Sequence, residues 1–453
     1  MNKIKVDDEF ILDIKRLGIN GEGIGFYNNL VIFVDNAIPG EGHLVKVTKV
    51  EDKMAYAKSL ELKHYNDYRK NTECEYYGTC GGCSTMHIKD SYLEELKRDL
   101  LIESLKKYTT INYKKFEIKP TVYLNRFNYR NRSQLQLVKN EIGSSVSMLK
   151  KNSNITVSIN KCLVQDELID DLNNKICKLI DKLNISLYSY KDKNGILRYL
   201  TIRTNRKKEA LVCLVLYKFD ESIYSLSNEI INLEGVAGVY YSINNKFDSG
   251  QEIIGDYLKL LNGKEYIIET LGKIKYKIYP NTFFQLNTNI AEKMVEAVLK
   301  AAKLSFKETI LDAYCGVGAI GLYLAHNAKE VVGIEYNSSS VLAAKENAKL
   351  NKINNAKFYQ GDAHLVLPKL INEGYNFDIL VVDPPRTGLD KKFIDKVIES
   401  KIKKIIYISC NPSTLAKNLE ELKDYYDIKS ITPFDMFPNT ALIESIALLT
   451  HKN

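Results

Sequence analysis

Hydrophobic and polar positions alternate along short stretches of residues 1–62. Residues 10–14 and 43–50 show this two-residue period, Leu30–Val34 is apolar throughout, and turns containing Gly or Pro-Gly separate these stretches. A two-residue period between turns is typical of β-strands. Strands this short in a segment of this length predict a small five-stranded barrel of the oligonucleotide-binding kind.

The period changes beyond this segment. Residues 92–108 carry leucines at helical spacing, residues 166–183 predict a second helix, and residues 211–217 predict a buried strand. The pattern is mixed α and β, so we assign residues 63–265 to a central α+β domain.

From about residue 270, helices and strands alternate regularly. Predicted helices are residues 289–303, 319–325, 338–350 and 391–400, and predicted strands are residues 309–313, 330–335, 357–360, 377–382 and 404–409. Repeated βα units predict a parallel sheet covered on both faces, so residues 266–453 are interpreted as a doubly wound, Rossmann-like domain. The fold class predicted for the whole chain is multidomain α/β.

Composition excludes several classes of protein. The 453 residues are 45% hydrophobic and 26% charged, a globular balance that argues against a disordered or coiled-coil chain. No apolar run approaches the roughly 18 residues that span a bilayer, and acidic residues lie where a signal peptide needs an apolar stretch. We therefore expect a cytoplasmic monomer with no membrane partner.

Basic residues are clustered in a chain whose net charge is +8. Residues 106–132 hold eight basic residues against the single acidic Glu117, and residues 198–208 hold a second cluster without acids. Cations for phosphates and nearby tyrosines for unstacked bases are typical of RNA-binding surfaces. A solvated charged face is the alternative interpretation.

A glycine-rich segment, Asp312-Ala-Tyr-Cys-Gly-Val-Gly-Ala-Ile-Gly321, follows the first strand of the Rossmann-like domain. Glycines allow a ligand to approach the backbone. The next strand ends in Glu335, where a carboxylate accepts hydrogen bonds from ribose hydroxyls, and Asp362 after the third strand could reach an adenine amino group. The pattern also fits nicotinamide dinucleotides, but the loop resembles motif I of S-adenosylmethionine methyltransferases more closely.

Three further residues occupy positions that core packing does not explain. Asp383 precedes two prolines, which cannot continue a sheet ladder, so it lies at the rim. Cys410 ends the fifth strand, where a thiolate is a candidate nucleophile. Glu444 is placed inside the apolar strand 441–449, where a buried carboxylate suits a general base. A structural ion pair is the alternative for Glu444.

Four cysteines form a possible metal-ligand set. Cys74, Cys80 and Cys83 are closely spaced, and Cys162 lies far downstream. Four thiolates bind either zinc or an iron–sulfur cluster. Zinc ribbons usually show two close pairs, whereas this set is a triplet with a distant single cysteine, and zinc and a cluster are both open from the residues alone.

Taken together, these segments resemble the RNA uracil-C5-methyltransferase family, whose members carry an N-terminal TRAM barrel and methylate ribosomal or transfer RNA. The resemblance covers essentially the whole chain. It rests on Phe33-Val34, residues 38–41, 283–287, 312–318, 383–386 and 409–412, and Glu444-Ser445.

The resemblance implies a role for each candidate. Cys410 would add to C6 of a uracil, and Glu444 would remove the C5 proton after methyl transfer from S-adenosyl-L-methionine. The residues that would contact the cofactor or its bound substrate are Gln285, Tyr314, Glu335 and Asp383, with Asp362 a weaker candidate. The family often has Asn where this chain has Ala319, so a cofactor hydrogen bond from that side chain is absent here.

The same cysteine spacing occurs in the ribosomal-RNA branch of the family, where it is linked to a [4Fe-4S] cluster. The resemblance thus implies a cluster on Cys74, Cys80, Cys83 and Cys162, with a structural or RNA-positioning role. It also implies 23S ribosomal RNA as the partner, with transfer RNA less favoured and DNA excluded.

Rival functions explain fewer of these residues. An amino-methyltransferase would need neither Cys410 nor Glu444. An RNA cytosine-C5-methyltransferase uses a cysteine beside the proline of the segment that is here Pro384-Pro385-Arg386, which has none. A non-catalytic RNA-binding or assembly protein would not require intact catalytic residues. We therefore expect methylation of a uridine in 23S rRNA, with transfer RNA and the non-catalytic role as alternatives.

Overall fold

A computed structural model describes residues 4–246 and 253–452, which form two compact units. The barrel unit comprises residues 4–124, 384–398 and 407–452. The central unit comprises residues 125–246, 253–383 and 399–406. The predicted domain limits, 1–62, 63–265 and 266–453, remain predictions.

The barrel unit begins with five strands: β1 (Glu9–Leu17), β2 (Gly23–Tyr27), β3 (Leu30–Val34), β4 (Gly42–Val50) and β5 (Met54–His64). They close into a barrel in the order β1-β2-β3-β5-β4, as the alternating pattern predicts. Leu12, Ile14, Val45 and Val47 belong to its core, because alternate residues of a strand point to the same face.

Helix α1 (Asp90–Tyr108), a short 3₁₀ turn and strand β6 (Glu117–Ile118) follow the barrel. Leu93, Leu96 and Leu100 of α1 share a core with Leu17 of β1. This is the amphipathic helix predicted from the leucine spacing. Its buried face also contains Lys97, which is fully buried.

The central unit contains a seven-stranded sheet in the order β13-β12-β11-β10-β7-β8-β9. Its elements are β7 (Arg132–Lys139), β8 (Ser144–Leu149), β9 (Thr156–Ser158), α2 (Glu167–Lys182), β10 (Leu197–Thr204), β11 (Ala210–Leu216), α3 (Ser222–Ile230), β12 (Val236–Ile243) and β13 (Tyr257–Gly263). Every residue of β11 is buried, which confirms the buried strand predicted there.

The second basic cluster is only partly a surface. Arg198 and Arg203 lie on β10, between β7 and β11, and both are buried. Arg198 donates to the carbonyl of Lys246 at 3.0 Å, and Arg203 donates to that of Phe284 at 3.4 Å. The basic cluster expected to bind RNA therefore does not include these two arginines at the surface, because side chains on both faces of β10 are buried.

The rest of the central unit alternates between strands and helices: β14 (Ile267–Leu271), β15 (Ile274–Ile278), α4 (Thr288–Ala302), β16 (Thr309–Ala313), α5 (Ala319–Ala325), β17 (Glu330–Glu335), α6 (Ser338–Leu350), β18 (Ala356–Gln360), α7 (Ala363–Asn372) and β19 (Ile379–Val382). Four of these strands form a parallel array in the order β18-β17-β16-β19. Their carboxyl ends share one edge, where a doubly wound fold binds its ligands. The alternation did not predict α7, which contains Pro368.

The last elements are α8 (Lys391–Ser400), β20 (Lys404–Ser409), α9 (Pro412–Leu422), β21 (Tyr426–Phe434) and β22 (Glu444–His451). In the barrel unit, β21 pairs antiparallel with β22 and parallel with β6. A parallel sheet alone was predicted, so the antiparallel pair is a correction. None of the helices in residues 4–246 and 253–452 has the length and apolar character of a membrane span.

Strand β22 begins at Glu444, whereas the apolar pattern placed this residue inside a strand that starts at residue 441. The preceding backbone is held by other groups. The amide of Leu442 donates to Thr440 Oγ1 at 3.2 Å, and the carbonyl of Leu442 accepts from Lys97 Nζ at 3.0 Å. Glu444 is consequently the first residue of the strand.

Candidate active site

The loop after β16 has an unusual backbone. Tyr314, Gly316 and Gly318 have φ angles of 64°, 54° and 79°. Left-handed backbone is strained for a tyrosine and persists only where the surroundings hold it. The amide of Cys315 donates to the carbonyl of Ile334 at 3.1 Å, which ties the loop to β17. A Cβ placed on Gly316 would meet no heavy atom within 4 Å, so the loop leaves open space on that side.

Glu335 joins two of the loops at this edge. Its carboxylate accepts from the amide of Gly316 at 3.0 Å and from that of Asn337 at 2.7 Å. Its carbonyl accepts from the amide of Gly361 at 3.0 Å. The carboxylate is thus fixed between the glycine-rich loop and the start of α6, and each oxygen keeps a lone pair for a further donor.

Asp312 is a buried carboxyl group that sequence reasoning did not select. Its Oδ2 accepts from the amide of Gly321 at 2.9 Å, whereas Oδ1 is buried and has no hydrogen-bond partner among the described residues. Burial raises the pKa of Asp312 to about 7, with further raising by the charges of Asp383 and Glu335. Burial also raises the pKa of Asp383 to about 7. An acid at the end of an otherwise apolar strand was the signal available for Asp312.

Gln285 is held through its backbone carbonyl, and Asp362 through its carboxylate. The carbonyl of Gln285 accepts from Asn131 Nδ2 at 3.0 Å, which fixes its backbone just before α4. Asp362 begins α7 by accepting from the amide of His364 at 3.2 Å. It also pairs with His364 Nδ1 at 2.7 Å. One oxygen of the Asp362 carboxylate, Oδ1, is therefore engaged by His364 of its own helix.

The residues of this edge fit a cationic nucleoside cofactor. An unpaired buried oxygen on Asp312 and a partly engaged carboxylate on Glu335 accept hydrogen bonds from amino and hydroxyl groups. The open side of Gly316 leaves room for close approach to the backbone. S-adenosylmethionine presents such donors and a positive charge.

Cys410 lies in the barrel unit, between the end of β20 and α9. The side chain of Asn411 caps α9 by accepting from the amide of Ser413 at 3.0 Å. The N-terminus of a helix favours a negative charge, such as that of a thiolate. Asn411 Nδ2 and Thr414 Oγ1 both donate to the carbonyl of Arg386, at 3.2 and 3.3 Å. The segment that follows Asp383 is thereby bonded to the cysteine loop.

Glu444 is also in the barrel unit and is buried, with 6% of its surface exposed. It faces Phe434 in the β21–β22 ladder. Strand β22 is hydrogen-bonded to β20, the strand that ends next to Cys410. Of the two predicted catalytic residues, Cys410 therefore directly follows one of these adjacent strands and Glu444 begins the other.

The three closely spaced cysteines lie in one half-buried loop of the barrel unit. The amide of Cys80 donates to the carbonyl of Tyr76 at 2.8 Å, and the amide of Gly82 donates to Cys80 Sγ at 3.4 Å. A backbone donor to sulfur is compatible with Cys80 as an iron–sulfur ligand. Cys162 belongs to the central unit, and its amide donates to Asp170 at 2.9 Å.

Comparison with known proteins places the chain in a family. The model of the tRNA (Uracil-5-)-methyltransferase family matches residues 90–452, and the TRAM domain model matches residues 6–60. An uncharacterized RNA methyltransferase of Bacillus anthracis is 36% identical over 457 residues, which cover 100% of this chain and 98% of that protein. One from Listeria monocytogenes serotype 4b is 37% identical over 458 residues, with 100% and 99% covered.

A solved structure agrees with these matches. The Pyrococcus abyssi tRNA (uracil-54, C5)-methyltransferase in complex with S-adenosyl-L-homocysteine superposes with a TM-score of 0.78 at 27% identity. The match covers 97% of this chain and 100% of that one. The resemblance found in the sequence, the multidomain α/β fold and the TRAM barrel are confirmed. The chain therefore belongs to the tRNA (uracil-5-)-methyltransferase family and is an S-adenosylmethionine-dependent RNA (uracil-5-)-methyltransferase.

Proposed function

We propose that this enzyme methylates C5 of a uridine in 23S ribosomal RNA through a covalent bond between Cys410 and C6 of the uracil. The observation that carries the proposal is the pairing of two adjacent strands: β20 ends at Ser409, directly before Cys410, and β22 begins at the buried Glu444. A cysteine and a buried carboxylate in this arrangement supply a nucleophile and a base.

The reaction needs both groups, because uracil C5 is too weak a nucleophile to attack a methyl sulfonium directly. The Cys410 thiolate adds to C6 and displaces the electrons of the C5–C6 double bond toward C5 and the C4 carbonyl. S-adenosylmethionine supplies the methyl group that C5 then takes. Glu444 removes the C5 proton, the C5–C6 double bond re-forms, and the sulfur–C6 bond breaks to return the Cys410 thiolate.

The remaining candidates would hold the cofactor or the base. Glu335 accepts from ribose hydroxyls, as a carboxylate at the end of a second strand does. Gln285, Tyr314 and Asp362 contribute further contacts to the cofactor or its bound substrate. Burial raises the pKa of Asp383 to about 7, so this carboxyl group is partly protonated near neutral pH, and its protonated form can donate to a carbonyl oxygen of the uracil ring. An extruded uridine is recognised through such edge contacts.

The cysteines favour ribosomal RNA as the substrate. Their spacing is similar to that of the ribosomal-RNA branch, in which a [4Fe-4S] cluster is bound. Cys74, Cys80, Cys83 and Cys162 would hold this cluster, which contributes shape and charge to the RNA contact, since methyl transfer consumes no electrons. Transfer RNA is the second candidate, because the Pyrococcus abyssi enzyme is a tRNA (uracil-54, C5)-methyltransferase.

Methyl transfer to unmodified transcripts tests the proposal. We expect tritium from S-adenosyl-[methyl-³H]methionine in 23S rRNA but not in tRNA, and in 5-methyluridine after nuclease digestion. Cys410→Ala should lose methylation and keep RNA binding, whereas Cys177→Ala, a change in the core of the central unit, should keep both. Methylation by Cys410→Ala would refute the covalent mechanism, and methylation of tRNA alone would refute the ribosomal assignment.

Metal analysis tests the cluster separately. Protein purified without oxygen should contain about four iron atoms per chain and absorb visible light. The variant Cys80→Ala should lose both signals. Zinc in place of iron, or iron retained by this variant, would contradict the assignment.

A further inference from the structure

The connection between β21 and β22 is held at both ends by one buried lysine. Lys97 Nζ donates to Asp435 Oδ1 at 2.5 Å, to the carbonyl of Phe437 at 3.3 Å and to the carbonyl of Leu442 at 3.0 Å. Lys97 is fully buried, and Asp435 is 5% exposed. An ammonium group has three donors, and the geometry gives each of them an acceptor in this connection.

A positive charge on Lys97 is unfavourable for the packing of α1, because it lies on the buried apolar face of that helix. Leucines surround Lys97 on the apolar face, and an apolar residue of similar volume in place of a buried ion pair is often neutral or stabilising. The ion pair therefore contributes little that packing could not supply. Apolar packing cannot supply hydrogen bonds. Lys97 supplies two, to the carbonyls of Phe437 and Leu442, which lie near opposite ends of the connection between β21 and β22.

The middle of the connection is held independently. The carbonyl of Asn439 accepts from the amide of Ser84 at 2.9 Å and from that of Thr85 at 3.0 Å. Both residues directly follow Cys83, the last of the three closely spaced cysteines. Asn439 has a φ of 67° and is fully buried. Hydrogen bonds thus fix the backbone of residues 435–442, which directly precedes Glu444. Leu442, whose carbonyl Lys97 bonds, is only two residues before Glu444.

We propose that Lys97 is a positioning residue for Glu444, and that it governs removal of the C5 proton and not formation of the bond to Cys410. The inference rests on the proposed function, because it takes Glu444 as the base. Lys97 acts on Glu444 through the backbone of residues 435–442, where it bonds the carbonyls of Phe437 and Leu442. Loosening that backbone displaces the Glu444 carboxylate. It leaves intact the hydrogen bonds from Asn411 and Thr414 to the carbonyl of Arg386, which hold the loop around Cys410 before α9.

The two steps can be separated with two forms of one RNA. In a uridine transcript, a methylated adduct persists only if removal of the C5 proton is slow. In a 5-fluorouridine transcript, C5 carries fluorine where the proton would be, so the adduct persists once Cys410 has added and the methyl group has been transferred. Adduct formed with the second RNA therefore reports attack and methyl transfer alone.

The test uses Lys97→Met combined with Asp435→Asn, which removes both charges and leaves no unpaired buried ion. Glu444→Gln is the reference, and Leu105→Ala, in the same helix, controls for lost stability. Each protein is mixed with S-adenosylmethionine and the 23S or tRNA transcript that the wild-type enzyme methylates. The protein–RNA adduct is followed on denaturing gels.

We expect the double variant to release the uridine adduct about 10- to 100-fold more slowly than wild type, as a misplaced catalytic group does. Its adduct with the 5-fluorouridine transcript should form within about threefold of the wild-type rate, because attack and methyl transfer do not use the displaced group. Release as fast as in Leu105→Ala, or equal slowing with both transcripts, would overturn the positioning role. A Glu444→Gln protein that releases its adduct normally would instead refute the proposed base.

Discussion

Replacing Asp312 by Asn should make the central unit more stable at pH 8 and leave its stability at pH 4 nearly unchanged. Burial raises the pKa of this carboxyl group from 3.8 to about 7 in the folded protein. A raised carboxyl pKa means that the folded state binds the proton more tightly than the unfolded state. Stability is therefore lost as pH rises from about 4 to about 7 and stays constant above that range. An amide at this position does not titrate and avoids the loss.

The size of the effect follows from the pKa difference. A shift from 3.8 to about 7 corresponds to roughly 4 kcal/mol at 1.36 kcal/mol per unit. The substitution removes the titrating group and, with it, this cost, so we expect it to recover about 2 to 4 kcal/mol. For a cooperative unit of roughly 250 residues, about 2 °C per kcal/mol gives a rise in Tm of about 4 to 8 °C.

Differential scanning fluorimetry from pH 4 to pH 8, without cofactor, measures this difference. Glu141→Gln is the matched control: it removes one carboxylate from an exposed position of the same unit and should shift Tm equally at every pH. The reasoning is refuted if the Tm of Asp312→Asn differs from that of wild type by the same amount at pH 4 and pH 8.

Three further substitutions test other contacts. Glu335→Gln replaces the charged acceptor of the Gly316 and Asn337 amides, and should raise the Kd for S-adenosylhomocysteine about 10- to 100-fold by calorimetry; an unchanged Kd would remove Glu335 from the cofactor site. Gly388→Ala places a Cβ 2.6 Å from Asn418 Oδ1 at a φ of 81°, and should lower stability by about 1 to 3 kcal/mol. Gly374→Ala is its control, because Gly374 has a φ of 96° but open space around the added Cβ. Thermal unfolding measures the stability of both variants. An equal loss of stability in both would show that the clash with Asn418 contributes nothing. Tyr276→Phe removes a hydroxyl that donates to the carbonyl of Ala319 at 2.8 Å from a fully buried ring; we expect a loss of about 1 to 2 kcal/mol, and an unchanged Tm would contradict it.

Much of the architecture was predictable because it is local. The strand Glu330–Glu335 and the helices Ala319–Ala325 and Ser338–Leu350 have the limits that hydrophobic periodicity predicts. Periodicity works here because a parallel βα unit repeats one burial pattern along a continuous stretch. Glu335 and Asp362 were selected as candidates in the same way, because parallel strands place their carboxyl ends, and the residues just beyond them, at one edge.

The errors involve side chains whose surroundings come from distant parts of the chain. Arg198 and Arg203 looked like part of a basic surface in the sequence, but the folded chain buries the side chains on both faces of β10. Lys97 falls on the apolar stripe of α1, a signal that was present in the sequence. Its acceptor Asp435 is 338 residues away, so no local pattern could identify the pair.

The sequence by itself determined the repeating elements, the barrel and the motifs of the family, and Cys410 and Glu444 remain its predictions for the catalytic residues. Those features depend on the order of residues over a few turns or strands. Tertiary structure alone decided that Asp312 keeps an unpaired buried oxygen, that β22 starts at Glu444, and that Lys97 holds the connection before it. Burial and hydrogen-bond pairing are properties of neighbours in space, and the chain brings those neighbours together only when it folds.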